Sequence, residues 1–275
     1  MNNTVTRTIS GIGFLAVVLG GLLVNQYLYA ALFLLMMGSM LYEFYRMTMG
    51  QAYRYSQILA ILLGITAFSL VFSVFAFGLD IRFLSINAIL LLAIMITSLF
   101  AKDKTDFKSY GFIYTGLLYI AVPLTLSNFI MFDKAGGFSG LMMLSFFCII
   151  WASDVGAYCF GLLFGKNGKK LFPTVSPKKS WAGFWGGLLL ALVTGGVLYW
   201  THLLDFPLLH CLILAAIMNV TGVFGDLFES QRKRVCDIKD SGNLIPGHGG
   251  MLDRFDSALF AIPAGVIYLV IIGLL

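Results

Sequence analysis

The sequence predicts an all-α integral membrane protein: a polytopic bundle of about nine transmembrane helices, N-terminus cytoplasmic, C-terminus extracytoplasmic. Three observations predict it. Of 275 residues, 59% are hydrophobic and 11% charged, with a mean hydropathy of +0.91, whereas soluble domains carry roughly 25% charged residues. Apolar runs near the length of about 20 residues that crosses hydrocarbon recur at 9–25, 28–45, 57–77, 83–101, 110–131, 138–164, 181–201, 207–227 and 255–275. The basic residues fall on alternate connections. The N-terminus and the loops 46–56, 102–109, 165–180 and 228–254 hold 16 of the 18 Lys and Arg; the other side holds Arg82 and Lys134. By the positive-inside rule the first set is cytoplasmic.

The first run carries Arg7 alone ahead of it and no small-x-small cleavage site, so it reads as a retained helix. Gly11, Gly13, Gly20, Gly21 and Gly38 suit close helix packing in the first two runs. Glu43 ends the second run and reads as an interfacial acid. Asp103 and Asp106 alternate with Lys102, Lys104 and Lys108, the pattern of a solvated loop. Pro123 and Pro263 lie inside runs, where a missing N–H kinks a helix. Residues 1–135, about five helices, therefore read as a packing, oligomerisation and lipid-access region, and 136–275 as the catalytic membrane region. Cys148, Cys159, Cys211 and Cys236 lack CxxC spacing, which points away from zinc and redox chemistry. The net charge of +5 is spread over membrane loops, with no basic, aromatic-interleaved domain for nucleic acid.

Polar residues gather after residue 150, and the predicted topology brings them to one membrane face. Asp154 lies inside the sixth run, where an ionisable group is costly and functional by default. Gly156 and Ala157 beside it admit another backbone or a ligand, and Tyr158 shares its face. The next loop holds Lys166, Lys169, Lys170, Lys178 and Lys179. Ser176-Pro177-Lys178-Lys179-Ser180 ends it, with Ser180 placed to cap the seventh helix, and Trp181 and Trp185 beyond. A helix N-terminus with a hydroxyl and two lysines is a phosphate cradle; the plainer reading is a topogenic loop on anionic lipid.

Residues 226–257 hold the third cluster: Asp226, Glu229, Asp237, Asp240, Asp253 and Asp256 among Arg232, Lys233, Arg234, Lys239 and Arg254, with His248 between glycines. Asp226/Glu229 and Asp253/Asp256 stand at i,i+3, so each pair projects from one face if helical. Such carboxylates suit a hard cation and the interleaved bases an anion, a combination that points to phosphoryl-group chemistry. Gly247, Gly249 and Gly250 permit positive φ and close approach to a ligand. His202 and His210 read as interfacial.

The run Ser230 to Arg234, then Lys239-Asp240-Ser241-Gly242, then Ile245-Pro246-Gly247-His248-Gly249-Gly250-Met251-Leu252-Asp253-Arg254-Phe255-Asp256, resembles the signature of the phosphatidate cytidylyltransferases, or CDP-diacylglycerol synthases. Asp154 to Tyr158 and Ser176 to Ser180 also look like that family's upstream motifs. Arg232 departs from the pattern, which has an apolar residue there. The resemblance implies that CTP and phosphatidic acid give CDP-diacylglycerol and pyrophosphate with Mg²⁺, with room for a second ion such as K⁺. It implies metal ligation by Asp226 and Asp253, to which the i,i+3 pairing with Asp253 adds Asp256. It implies catalytic roles for these and for Lys239, Asp240, His248 and Arg254. Substrate binding falls to Asp154, Tyr158, Ser176, Lys178, Lys179, Ser180, Glu229, Ser230, Lys233, Arg234, Gly249 and Gly250. It also implies a homodimer in the bacterial inner (plasma) membrane, with its site facing the cytoplasm. The rivals are a CTP-dependent lipid kinase of the dolichol-kinase sort, set against the full Pro-Gly-His-Gly-Gly run, and a transporter, set against charge crowded at one face.

Overall fold

A computed structural model describes residues 3–51, 53–100, 106–133, 136–166, 168–244, 247 and 249–275, with 3–9, 107 and 108 described by backbone alone. Its helices are α1 (Asn3–Leu23), α2 (Gln26–Met49), α3 (Arg54–Phe77), α4 (Ile86–Thr97), α5 (Phe107–Gly116), α6 (Val122–Leu126), α7 (Leu141–Phe164), α8 (Trp181–Trp200), α9 (Leu208–Val235), α10 (Leu252–Phe255) and α11 (Ala258–Ile271). Among the described residues, seven helical stretches are long and apolar enough to cross a membrane, and Ser10–Leu23 and Ala258–Ile271 are shorter apolar helices. The protein is an integral membrane helical bundle. The last apolar run is shortened for a local reason: Asp256 Oδ1 accepts the amide of Ser257 at 2.7 Å, and regular helix resumes only at Ala258. Fourteen residues span about 21 Å, less than the roughly 30 Å hydrocarbon core.

The chain forms two compact units. One comprises Met1–Phe138 with Ile238–Arg254, the other Ser139–Asp237 with Phe255–Leu275. In the first, Asn25 caps α2 through the amides of Tyr27 and Leu28. Tyr29, Phe33, Phe68 and Phe72 pack ring on ring. The irregularity expected at Pro123 takes the form of a π-helical turn, Leu117–Ala121, directly ahead of it. The turn absorbs the missing proline donor. Tyr45 donates to the Ile113 carbonyl at 2.9 Å just upstream, and a side chain at Gly116 would collide with its ring.

In the second unit α7 and α8 pack through small residues. A Cβ on Gly156 would strike the Gly186 carbonyl, and one on Gly183 would lie 2.8 Å from the Ala157 carbonyl. The room beside Asp154 therefore serves another backbone, the first of the two uses open from sequence. This is close packing by small residues, the means by which apolar helices associate in lipid. Between these helices the chain departs from all-α structure in an antiparallel pair, β1 (Lys170–Phe172) and β2 (Ser176–Ser180).

Candidate active site

In the second unit, β2 delivers Lys179. The open end of the hairpin is held twice: Trp181 N–H donates to Lys169 O at 3.1 Å, and Ser180 Oγ accepts the Gly183 amide at 3.2 Å. Ser180 is thus the N-cap of α8 and is buried. Lys179, one residue before this anchor, places Nζ 2.6 Å from Asp226 Oδ2 on α9, with both side chains part-exposed at 25% and 33%. The carboxylates of Asp154 on α7 and Asp256 lie within electrostatic reach of Asp226, and Asp154 within reach of Lys179. Asp226 and Asp154 thus face the Lys179 ammonium, with Asp256 beside the two acids, a local concentration of negative charge.

The C-terminal end of α9 is a ladder at i,i+4 spacing. Ser230 Oγ donates to Asp226 Oδ1 at 3.2 Å, and Lys233 Nζ pairs with Glu229 Oε2 at 2.9 Å. Glu229 is 1% exposed and lies within hydrogen-bonding reach of Asp256. Arg232 places its guanidinium 4.9 Å from the centre of the Phe228 ring, which accounts for a basic residue at the family's apolar position. Lys170 leaves the basic cluster: its ammonium donates to the Gly165 and Lys166 carbonyls at 2.8 and 3.3 Å, at the C-terminus of α7. Tyr158 and Lys178 are exposed, Ser176 half-buried and Arg234 exposed.

In the first unit the signature loop closes on itself around Asp253. Its Oδ2 accepts the Ser241 amide at 2.9 Å, the Ser241 hydroxyl at 3.0 Å and the Gly250 amide at 2.8 Å. Gly247 and Gly249 have φ of 76° and 87°, the left-handed region that favours glycine. A Cβ on Gly249 would stand 2.8 Å from Asp253 Oδ2, and one on Gly250 would overlap Ser241 Oγ and stand 2.7 Å from the Gly242 nitrogen. The glycines give close approach, as expected, and the groups approached include the chain's own carboxylates. Lys239, Asp240 and Arg254 are exposed. His248 lies outside the described residues.

Glu43 corrects the sequence expectation. Rather than standing exposed at the interface, it is 6% exposed and accepts hydrogen bonds from Met251 N–H at 3.0 Å, Leu252 N–H at 2.9 Å and Ser241 Oγ at 3.3 Å. The available signal was a lone acid inside Leu41-Tyr42-Glu43-Phe44-Tyr45. An ionisable group with apolar neighbours on both sides is a candidate for an internal partner.

Carboxylate and hydroxyl oxygens are the donors that a hard cation takes. Among the described residues no three acidic, imidazole or thiol groups converge as a preformed metal shell. The charge excess around Asp226 is what a divalent ion would offset, so Asp154, Asp226 and Asp256 fit one in charge and donor type.

The sequence matches a family model described as the cytidylyltransferase family over residues 5–272. Three similar proteins are each called phosphatidate cytidylyltransferase. The Bacillus subtilis (strain 168) protein is 39% identical over 181 residues, covering 66% of this chain and 65% of its own length. The Staphylococcus haemolyticus protein is 36% identical over 164 residues, 59% of this chain and 60% of its own length. The protein of Staphylococcus saprophyticus subsp. saprophyticus is 36% identical over 185 residues, 67% and 68% respectively. The chain thus spans slightly under two thirds of the first two relatives. A match to the family model along nearly its whole length, on a helical bundle whose acids and lysines cluster as described, makes this chain a member of the cytidylyltransferase family.

Proposed function

We propose that the protein transfers the cytidylyl group of CTP to phosphatidic acid, forming CDP-diacylglycerol and pyrophosphate. The observation that carries this reading is the pairing of Lys179 with Asp226 beside further carboxylates, in a chain of this family. A phosphate oxygen of the lipid attacks the α-phosphorus of CTP, a new phosphoanhydride bond forms, and the bond to the β-phosphate breaks with its electron pair leaving on pyrophosphate. The lipid phosphate is itself the nucleophile, so no enzyme nucleophile is required. The obstacle is repulsion between two polyanions.

The chain's own contribution is electrostatic. Lys179 meets phosphate oxygens once it leaves Asp226. The capped start of α8 supplies amides behind it. Lys178, Arg234, Lys239 and Arg254 are exposed cations available to CTP or the leaving pyrophosphate. In the second unit Asp226 and Asp256, with Asp154, would hold Mg²⁺, which would supply charge neutralisation of the phosphates when bound; Asp253 is the first unit's candidate cation ligand, and K⁺ is a candidate second ion. The reading extends to nine membrane passes, a cytoplasmic N-terminus, a cytoplasm-facing site in a bacterial inner membrane and a homodimer. Sixteen of eighteen basic residues on one set of loops support that topology. Phosphatidic acid stays in the bilayer because extracting its chains costs about 0.8 kcal/mol per CH₂, so its phosphate meets CTP at headgroup depth.

The test supplies the purified protein with phosphatidic acid, Mg²⁺ and CTP labelled at either the α- or the γ-phosphorus. α-Label entering lipid with equimolar pyrophosphate is the expected result. γ-Label entering a lipid alcohol would replace this reading with a kinase, and vesicle flux without either product would replace it with a transporter.

A further inference from the structure

We propose that Glu43, in the second helix of the chain, is a positioning residue for the reaction: it clamps the backbone of the signature loop so that Asp253 is presented in one orientation. The inference rests on the reading of Asp253 as a functional carboxylate. A buried carboxylate in an apolar helix is costly unless its charge is answered. No lysine or arginine among the described residues pairs with Glu43. The answer comes from Ser241, Met251 and Leu252, about two hundred positions along the chain. Its two oxygens divide successive amides, Oε1 taking Met251 N–H and Oε2 taking Leu252 N–H. That fork fixes the peptide planes at the start of α10, immediately before Asp253.

A second link makes the connection specific. The Ser241 hydroxyl lies within hydrogen-bond distance of both Glu43 Oε2 and Asp253 Oδ2, at 3.3 and 3.0 Å. Gly250 supplies an amide to Asp253 and has no space for a Cβ, which would overlap both Ser241 Oγ and Glu43 Oε2. Glu43, Ser241, Gly250 and Asp253 therefore form one closed set of hydrogen bonds within the first unit. Rotating the Glu43 carboxylate frees two amides and leaves Ser241 with one acceptor. Asp253 then loses the rigid support on which precise presentation depends. Glu43 itself acts only through the loop.

Glu43→Gln is the informative change, because it keeps the shape while turning an NH₂ towards one of the two amides. Glu43→Asp keeps the charge and shortens the reach. The purified variants are compared for kcat, KM for CTP and melting temperature, and for amide hydrogen exchange in residues 249–253. The expected result for Glu43→Gln is a kcat lowered on the order of 10²-fold, as for a displaced catalytic group. Its KM should be nearly unchanged, its global melting within a few degrees of wild type, and its loop exchange faster; Glu43→Asp should recover part of both kcat and protection. Wild-type kcat in Glu43→Gln would overturn the proposal. So would loss of kcat only in step with global melting, or without change in loop exchange. If the wild-type protein makes no CDP-lipid, the assigned reaction fails instead, and loop exchange in Glu43→Gln still decides whether the clamp exists.

Discussion

The acids of the two units are satisfied in different ways. In the first, Glu43 and Asp253 are answered largely by backbone amides and one serine hydroxyl, groups fixed by the fold. In the second, Asp226 is answered by a lysine side chain, and its neighbours Asp154 and Asp256 are acids too. A carboxylate held by amides cannot exchange partners without unfolding its loop. One held by a lysine on four rotatable bonds can release it to a phosphate and take a cation instead. The first arrangement suits a carboxylate presented in one orientation and the second suits traffic of charged ligands, so acids close together in sequence can carry different tasks.

The largest expected effect separates these tasks. Asp226→Asn should lower kcat by at least about 10²-fold, the scale for losing an electrostatic stabiliser, while leaving hydrogen exchange in residues 241–253 at its wild-type rate. Asp253→Asn should also lose activity, but with faster exchange in that segment, because charge-assisted bonds worth about 1.5–3 kcal/mol each are weakened. Identical exchange in the two variants would erase the distinction. Gly250→Ala comes next. Its methyl must displace Ser241 or Glu43, so activity should fall by roughly tenfold or more, at a cost of about 1–3 kcal/mol for overpacking. Wild-type activity and exchange in Gly250→Ala would show that the loop is not the rigid element its contacts describe.

Much of this was legible in the sequence, and the gaps have physical causes. Helices were readable because apolar length is the dominant constraint in a bilayer, and Ser180 was readable as a cap because hydroxyls before helices serve that end. The shortening of the last run was not, because it depends on one carboxylate turning onto the next amide. The hairpin 170–180 was hidden by its content: lysines, prolines and serines read as loop, and pairing depends on the anchors at Lys169 and Ser180. Glu43 was missed because its partners lie about two hundred residues away, beyond any local pattern. Asp253 was found because the signature runs through it, and Asp226 because it stands at the polar end of an apolar run, at i,i+3 from Glu229. Their different surroundings were invisible in either signal.

The smallest effect distinguishes lysines that look alike in sequence. Lys170, Lys178 and Lys179 share one basic stretch, yet Lys170 closes the end of α7, Lys178 is exposed and Lys179 pairs with Asp226. Lys179→Ala should impair turnover most, since it removes the cation that pairs with Asp226 and is proposed to pass to phosphate. Lys178→Ala should raise KM several-fold at most, because a single exposed charge acts through screened attraction. Lys170→Ala should cost about 0.3–1 kcal/mol of stability, the usual value of a cation at a helix C-terminus, with kcat and KM near wild type. All three should insert in the membrane alike, because the remaining basic residues preserve the charge bias. Kinetics and melting on the three purified variants check the order. If Lys170→Ala and Lys179→Ala lose turnover equally, the stretch acts as one undivided basic surface and the contrast between a structural and a transferable cation is wrong.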